Sequence, residues 1–101
     1  MYYVVFTTDR PGQEALRTET REAHLAYIRN SDAHPGVTVK HGGPTLSDDG
    51  EIMIGSLIII EAPSLDAARA FAANDPYTLA GLFAEAHVRP WKWVTGRPEG
   101  T

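Results

Sequence analysis

The chain has 101 residues, no cysteine and a net charge of −4, with 13 acidic against 9 basic side chains. One domain fits this length, and a domain of this size buries only about 60–65 % of its unfolded surface. The basic residues are scattered, which argues against nucleic acid as a partner; the missing thiols exclude disulfides, thiolate nucleophiles and cysteine-based zinc sites.

Met1 leads straight into a β-branched and aromatic run, Tyr2 to Thr8, closed by the turn signal Asp9-Arg10-Pro11-Gly12. There is no basic leader and no stretch approaching roughly 18 apolar residues, so the expectation is a soluble cytoplasmic protein without a membrane partner. Gln13 to Asn30 reads as a helix, with Leu16, Thr20, Ala23 and Tyr27 on its apolar stripe and His24 and Ile28 at the edge. The stretch from Asp32 to Val37 ends it, and Val37 to Gly43 forms a second strand. Pro44 opens a polar hairpin connection, and Ile52 to Ala62 is the most apolar strand. Ser64 is the expected cap of a second helix over Leu65 to Ala73, with Asp66 in its first turn. Pro76 then breaks the helical spacing, a short helix resumes, and Ala86 to Thr95 reads as the last strand.

The order β-α-β-β-α-β with right-handed crossovers predicts an α+β, ferredoxin-like arrangement: a four-stranded antiparallel sheet with helices on one face. Tyr2, Val4 and Phe6 alternate with Tyr3 and Val5, and Ile52, Ile54, Ile58 and Ile60 oppose Met53, Leu57 and Ile59. Both sheet faces are therefore apolar, and the helices cover only one. A second copy of the chain packed sheet to sheet is the expected cover, giving a homodimer. A gap between sheet and helices is the natural place for a small-molecule ligand.

Proline disfavours helical geometry in the residue before it, so the break leaves Asp75 outside a helix with its carboxylate free. Two readings stand side by side: a cap for the next helical turn, or a partner for a group elsewhere in the chain. His24 is the group that needs one. It is either a bonded structural histidine or a general acid/base whose tautomer Asp75 fixes. Arg21, one turn earlier, is placed to bind an anionic group. Ser56, inside an apolar strand, either touches a ligand or bonds to the backbone. No histidine pair has metal-ligand spacing, and no nucleotide-binding glycine loop or nucleophile elbow is present, so neither metal nor cofactor is expected. His34 is read as a solvated loop residue, His41 and His87 as strand positions, and Trp91 and Trp93 as core or dimer interface.

The set Arg21-Glu22-Ala23-His24-Leu25, Gly43-Pro44, Gly55-Ser56, Asp75-Pro76-Tyr77 with Ala80-Gly81, and Val88-Arg89-Pro90-Trp91 resembles the YCII-related (YciI-like) family. The resemblance spans about residues 1–95 as a single domain, leaving 96–101 as a flexible tail. It implies a dimeric α+β barrel and an active site built on a histidine and an aspartate, which map onto His24 and Asp75. Arg21, Ser56 and Tyr77 are then the expected substrate contacts. It further implies cofactor-free chemistry of the lyase, isomerase or dehydrochlorinase type on a small cyclic or carbonyl compound. The alternatives are a non-catalytic dimeric module that binds a small metabolite or serves as an accessory subunit and, on the same barrel, a cofactor-free oxygenase.

Overall fold

The computed structural model of the chain describes residues 1–98. Residues 99–101 of the expected tail lie outside the described residues. Strand β1 (Tyr2–Asp9) leads to helix α1 (Glu14–Arg29), then strands β2 (Thr38–Leu46) and β3 (Met53–Glu61). Helices α2 (Leu65–Ala73) and α3 (Pro76–Leu79) follow, and strand β4 (Phe83–Trp91) closes the sheet. The sheet order is β2-β3-β1-β4 and every neighbouring pair is antiparallel. This is the ferredoxin-like α+β arrangement that the element order predicts. No helix of the described residues is long and apolar enough to cross a membrane.

Local chemistry sets the helix boundaries. The Ser64 hydroxyl accepts from the Ala67 N–H at 3.1 Å and starts α2. At the end of α3, Gly81 takes a positive φ of 74°, Gly81 N–H donates to the Thr78 carbonyl and Leu82 N–H to the Tyr77 carbonyl. That is the Schellman closure, in which a glycine adopts the left-handed conformation and the next residue buries an apolar side chain. Leu82 is fully buried.

Tyr3 and Val5 of β1 and Ile58 and Ile60 of β3 point toward the helices and pack with Val37, Ala62, Ala68 and Phe71. On the opposite face Phe6 and Leu57 are 44 % and 43 % exposed, so this face is uncovered in the single chain. The expected alternation fails at the start of β3. The register slips where Thr45 faces Gly55 but Leu46 faces Met53, so Ile54 is bulged out and exposed rather than aligned with Ile58. Three further boundaries also differ. Strand β2 continues through Pro44 to Leu46, because it is an edge strand that tolerates a proline. Strand β4 begins at Phe83 and ends at Trp91, so Trp93 lies beyond it. Ser31–Ala33 forms a 3-10 turn.

His34 corrects an expectation. It is buried, with Nε2 at 2.9 Å from the Tyr27 carbonyl oxygen and Nδ1 at 3.1 Å from that of Val37. The 3-10 turn folds the chain back over α1, and the imidazole joins the end of that helix to the approach to β2, edge-on to Phe71.

Gly55 is required by close strand approach. A Cβ there would overlap the Thr7 carbonyl oxygen and come within 2.7 Å of Thr45 Oγ1. The backbone oxygen cannot swing aside, so β1 and β3 would have to separate. Gly55→Ala is therefore expected to lower stability by about 1–3 kcal/mol in urea titration; an unchanged midpoint would show that the strand pair yields freely.

Candidate active site

Helix α1 presents Arg17 and His24, two turns apart, as its buried residues. His24 stands at the centre of the buried stripe rather than at its edge, and Ala23 is exposed. The stripe is thus polar where the site lies and apolar beyond it, where Tyr27 and Ile28 meet the core.

Asp75 is the N-cap of α3, with Pro76 at the first helical position. Its Oδ1 accepts from the Tyr77 N–H at 2.9 Å. The same carboxylate faces His24, whose Nδ1 lies 2.9 Å from Oδ1 and 3.0 Å from Oδ2. Asp75 and His24 are 4 % and 8 % exposed. Both readings of Asp75 therefore hold in one geometry. An ionised carboxylate only accepts, so the Nδ1 proton belongs on the imidazole, and Nε2 is left as the free ring nitrogen.

The Tyr77 ring stacks on the His24 imidazole, with centroids 4.1 Å apart and planes within 18°. The Arg17 guanidinium sits 4.5 Å from the centre of the same ring. Burial lifts the Tyr77 phenol above its ordinary pKa; the charges of Arg17 and Arg21 oppose this, and the Asp75 carboxylate adds to it. Tyr77 is therefore a neutral phenol near pH 7.

A second polar cluster was not legible as a site in the sequence. Arg17 Nε donates to Asp9 Oδ2 at 2.6 Å and Nη2 to Asp9 Oδ1 at 2.9 Å, the two-pronged geometry that suits guanidinium and carboxylate. Nη2 also donates to the Ser56 hydroxyl at 3.0 Å. Burial alone would lower the Arg17 pKa, but the hydrogen bond and charge of Asp9 outweigh it and hold the pKa above its usual value. Arg17 is thus a fixed cation. Its one available signal in the sequence is its position seven residues before His24, which puts both on one helix face.

His24, Tyr77, Arg21 and Ser56 line a cavity of about 230 Å³ between α1 and strands β2 and β3. Its remaining walls include Leu25, Ile28, Met53 and Ile58, and β2 contributes Val39 and the stretch Gly42-Gly43-Pro44, whose two glycines leave room by carrying no side chain. Arg21 is exposed at the rim and makes no ion pair among the described residues, so its charge is available to a ligand. All five residues expected from the sequence thus meet at this site, with Asp75 behind His24 rather than on the cavity wall. No group of three or more histidine, aspartate or glutamate side chains placed to hold a metal ion occurs among the described residues.

A fold of this form occurs in known proteins. The chain is 41 % identical to 5-chloro-2-hydroxyhydroquinone dehydrochlorinase from Burkholderia phenoliruptrix AC1100, solved with 2,5-dihydroxybenzoquinone, over 91 % of this chain and 94 % of that one, with a TM-score of 0.77. A cofactor-independent oxygenase from Streptomyces nogalater shares the fold at 14 % identity and a TM-score of 0.55, covering 95 % and 96 % of the two chains. Protein YciI of Escherichia coli O6:H1 is 33 % identical over 99 residues, covering 93 % of this chain and 99 % of its own. A protein of Haemophilus influenzae is 35 % identical over 97 residues, with the same two coverages. The model of the YCII-related domain matches residues 1–92, and the chain belongs to that family.

Proposed function

We propose that the chain is a cofactor-independent enzyme in which His24 moves a proton on a small hydroxylated or carbonyl-bearing ring. The observation that carries this reading is the His24–Asp75 pair, which commits Nδ1 to a buried carboxylate and leaves Nε2 for the cavity. A 41 % identical relative that removes HCl from a chlorinated hydroxyhydroquinone supports a substrate of that size and a lyase, isomerase or dehydrochlorinase type of reaction.

In this mechanism Nε2 takes a proton from a ring hydroxyl or an acidic C–H. The imidazolium that forms is stabilised by Asp75, whose negative charge lies within hydrogen-bond reach. Charge that develops on a substrate oxygen is met by Arg21 at the rim and by two neutral donors. Ser56 accepts from Arg17 and so has its own hydroxyl proton to give, and Tyr77 is a protonated phenol. Returned to the chlorine-bearing ring carbon, the proton held on His24 makes that carbon tetrahedral; removal of a second hydroxyl proton by Nε2 then drives chloride off, so that one proton and one chloride leave in total and a hydroxyquinone remains. Ring stacking by Tyr77 keeps the imidazole in plane and dry on one side.

The uncovered face of the sheet fits a homodimer, with Phe6 and Leu57 at its centre and Val4 and Ile59 beside them. The non-catalytic binding module is favoured by one observation: capping of α3 is by itself a sufficient reason for an aspartate at position 75.

Three outcomes follow from this reading. With 5-chloro-2-hydroxyhydroquinone as the first substrate tried and chloride release as the readout, His24→Gln should lower turnover roughly 10²–10⁴-fold while the protein stays folded. Unaltered turnover in that variant would exclude the histidine as base. Asp75→Asn keeps a capping side chain, so its thermal midpoint should stay near that of the wild type while turnover falls at least about tenfold; loss of stability with full turnover would leave only the cap. Leu57→Glu should shift the sedimentation coefficient from dimer to monomer, and a dimer that survives it would place the interface elsewhere.

A further inference from the structure

A second chamber, of about 210 Å³, lies between β1, β4 and α2. Ser56 and Ile58 line both chambers, but His24 belongs to the first and Asp75 to the second, so the paired side chains stand in the wall between them. The second chamber is apolar for most of its surface, with Val5, Ala72, Phe83 and Val88 around it.

Its polar groups are nearly all engaged. Asp75 holds His24 and the Tyr77 N–H, the Thr78 hydroxyl donates to the Ala72 carbonyl, and Ser56 accepts from Arg17. Arg69 is exposed at the mouth. Thr7 differs from these. It is 3 % exposed, and its Oγ1 has no hydrogen-bond partner, which among the described residues is true of no other buried side-chain nitrogen or oxygen. Leaving a buried hydroxyl unpaired costs about 1–3 kcal/mol, so an orphan of this kind calls for an explanation. Thr7 faces Ser56 on one side and Ala86 on the other, and the small alanine leaves the space beside the hydroxyl open. A water molecule is held well only where it finds two to four polar partners. Here the open polar valences beside the space are the Thr7 hydroxyl and the Ser56 hydroxyl proton, and the walls beyond them are mostly apolar.

We propose that this chamber is a second binding site for a compact, mostly apolar molecule carrying one hydroxyl, which pairs with Thr7 Oγ1 while its body fills the space between Val5, Phe83 and Val88. A hydroxyl both donates and accepts, so it satisfies Thr7 whichever way the threonine proton turns. The site stands on Thr7 and the chamber walls, and does not depend on His24 acting as a base.

The test is an NMR titration of the full chain with phenol and with benzene, which differ by the hydroxyl alone. Phenol should give saturable shifts at Thr7, Phe83, Ala86 and Val88. Thr7→Val keeps the shape and removes the hydroxyl; it should weaken phenol roughly fivefold and leave benzene unchanged. Ala86→Leu, at an exposed position on the chamber's edge, should abolish both sets of shifts without unfolding the chain. Shifts confined to Arg21, Gly43 and Met53 would place phenol in the first chamber and overturn the proposal. So would equal affinity for phenol and benzene in the wild type, an absence of saturable binding, or an ordered water on Thr7 in crystals soaked with phenol.

Discussion

The Asp75 carboxylate is the constraint on which the rest of the site depends. A buried carboxylate is costly unless its lone pairs are met by donors, and here they are met by the backbone N–H of Tyr77 and by the imidazole of His24. The first bond starts α3 and so fixes where Tyr77 points. The second binds α3 to α1, the two elements that form one end of the site. Pro76 makes both bonds compatible by holding Asp75 in extended geometry, with φ −61° and ψ 131°, so that its side chain reaches across rather than along the helix. A helix that ran unbroken from Leu65 to Leu79 would put no acceptor opposite His24.

A second pairing works by the same logic. Arg17 is buried beneath Tyr77 and would be expelled without Asp9, which comes from the end of β1 and pairs through both oxygens. Ion pairs of this kind add little net stability against an apolar alternative, but removing one partner leaves an uncompensated charge in the interior. The cluster is better understood as alignment. It sets the Tyr77 ring from one side as Asp75 sets His24 from the other, and it holds Ser56 with its hydroxyl proton free. The charges on the cavity wall that remain available to a ligand are those of Arg21 and Arg29, because Arg17 is already spent.

The architecture was legible because period-2 and helical spacings are strong over β1, β3, α1 and α2, and because the element order leaves few topologies. Asp75 drew notice through a proline break beside an aspartate and His24 through its place on the first helix, while their pairing as an active site came from the family resemblance. Asp9 and Arg17 were not legible as a pair. An arginine on a helix and an aspartate in a turn read as surface residues, and only the fold brings them together to neutralise each other. His34 misled for a similar reason, since a histidine before proline gives no sign that two backbone carbonyls will turn toward it. The bulge at Ile54 reflects a register slip between strands, which local pattern cannot carry. The orphan Thr7 hydroxyl depends on what is missing around it and could be found only in three dimensions.

The proposed role of His24 requires an imidazole held by Asp75 with its proton on Nδ1 and a bare Nε2 toward the cavity. The most direct measurement is nitrogen-15 NMR of the wild-type chain labelled in its histidine rings, near pH 7. The expected result is the Nδ1–H tautomer for His24, with that proton shifted downfield by the carboxylate. A spectrum showing the Nε2–H tautomer, the form free histidine prefers, would contradict it, because the nitrogen facing the cavity would then have no lone pair with which to take a proton.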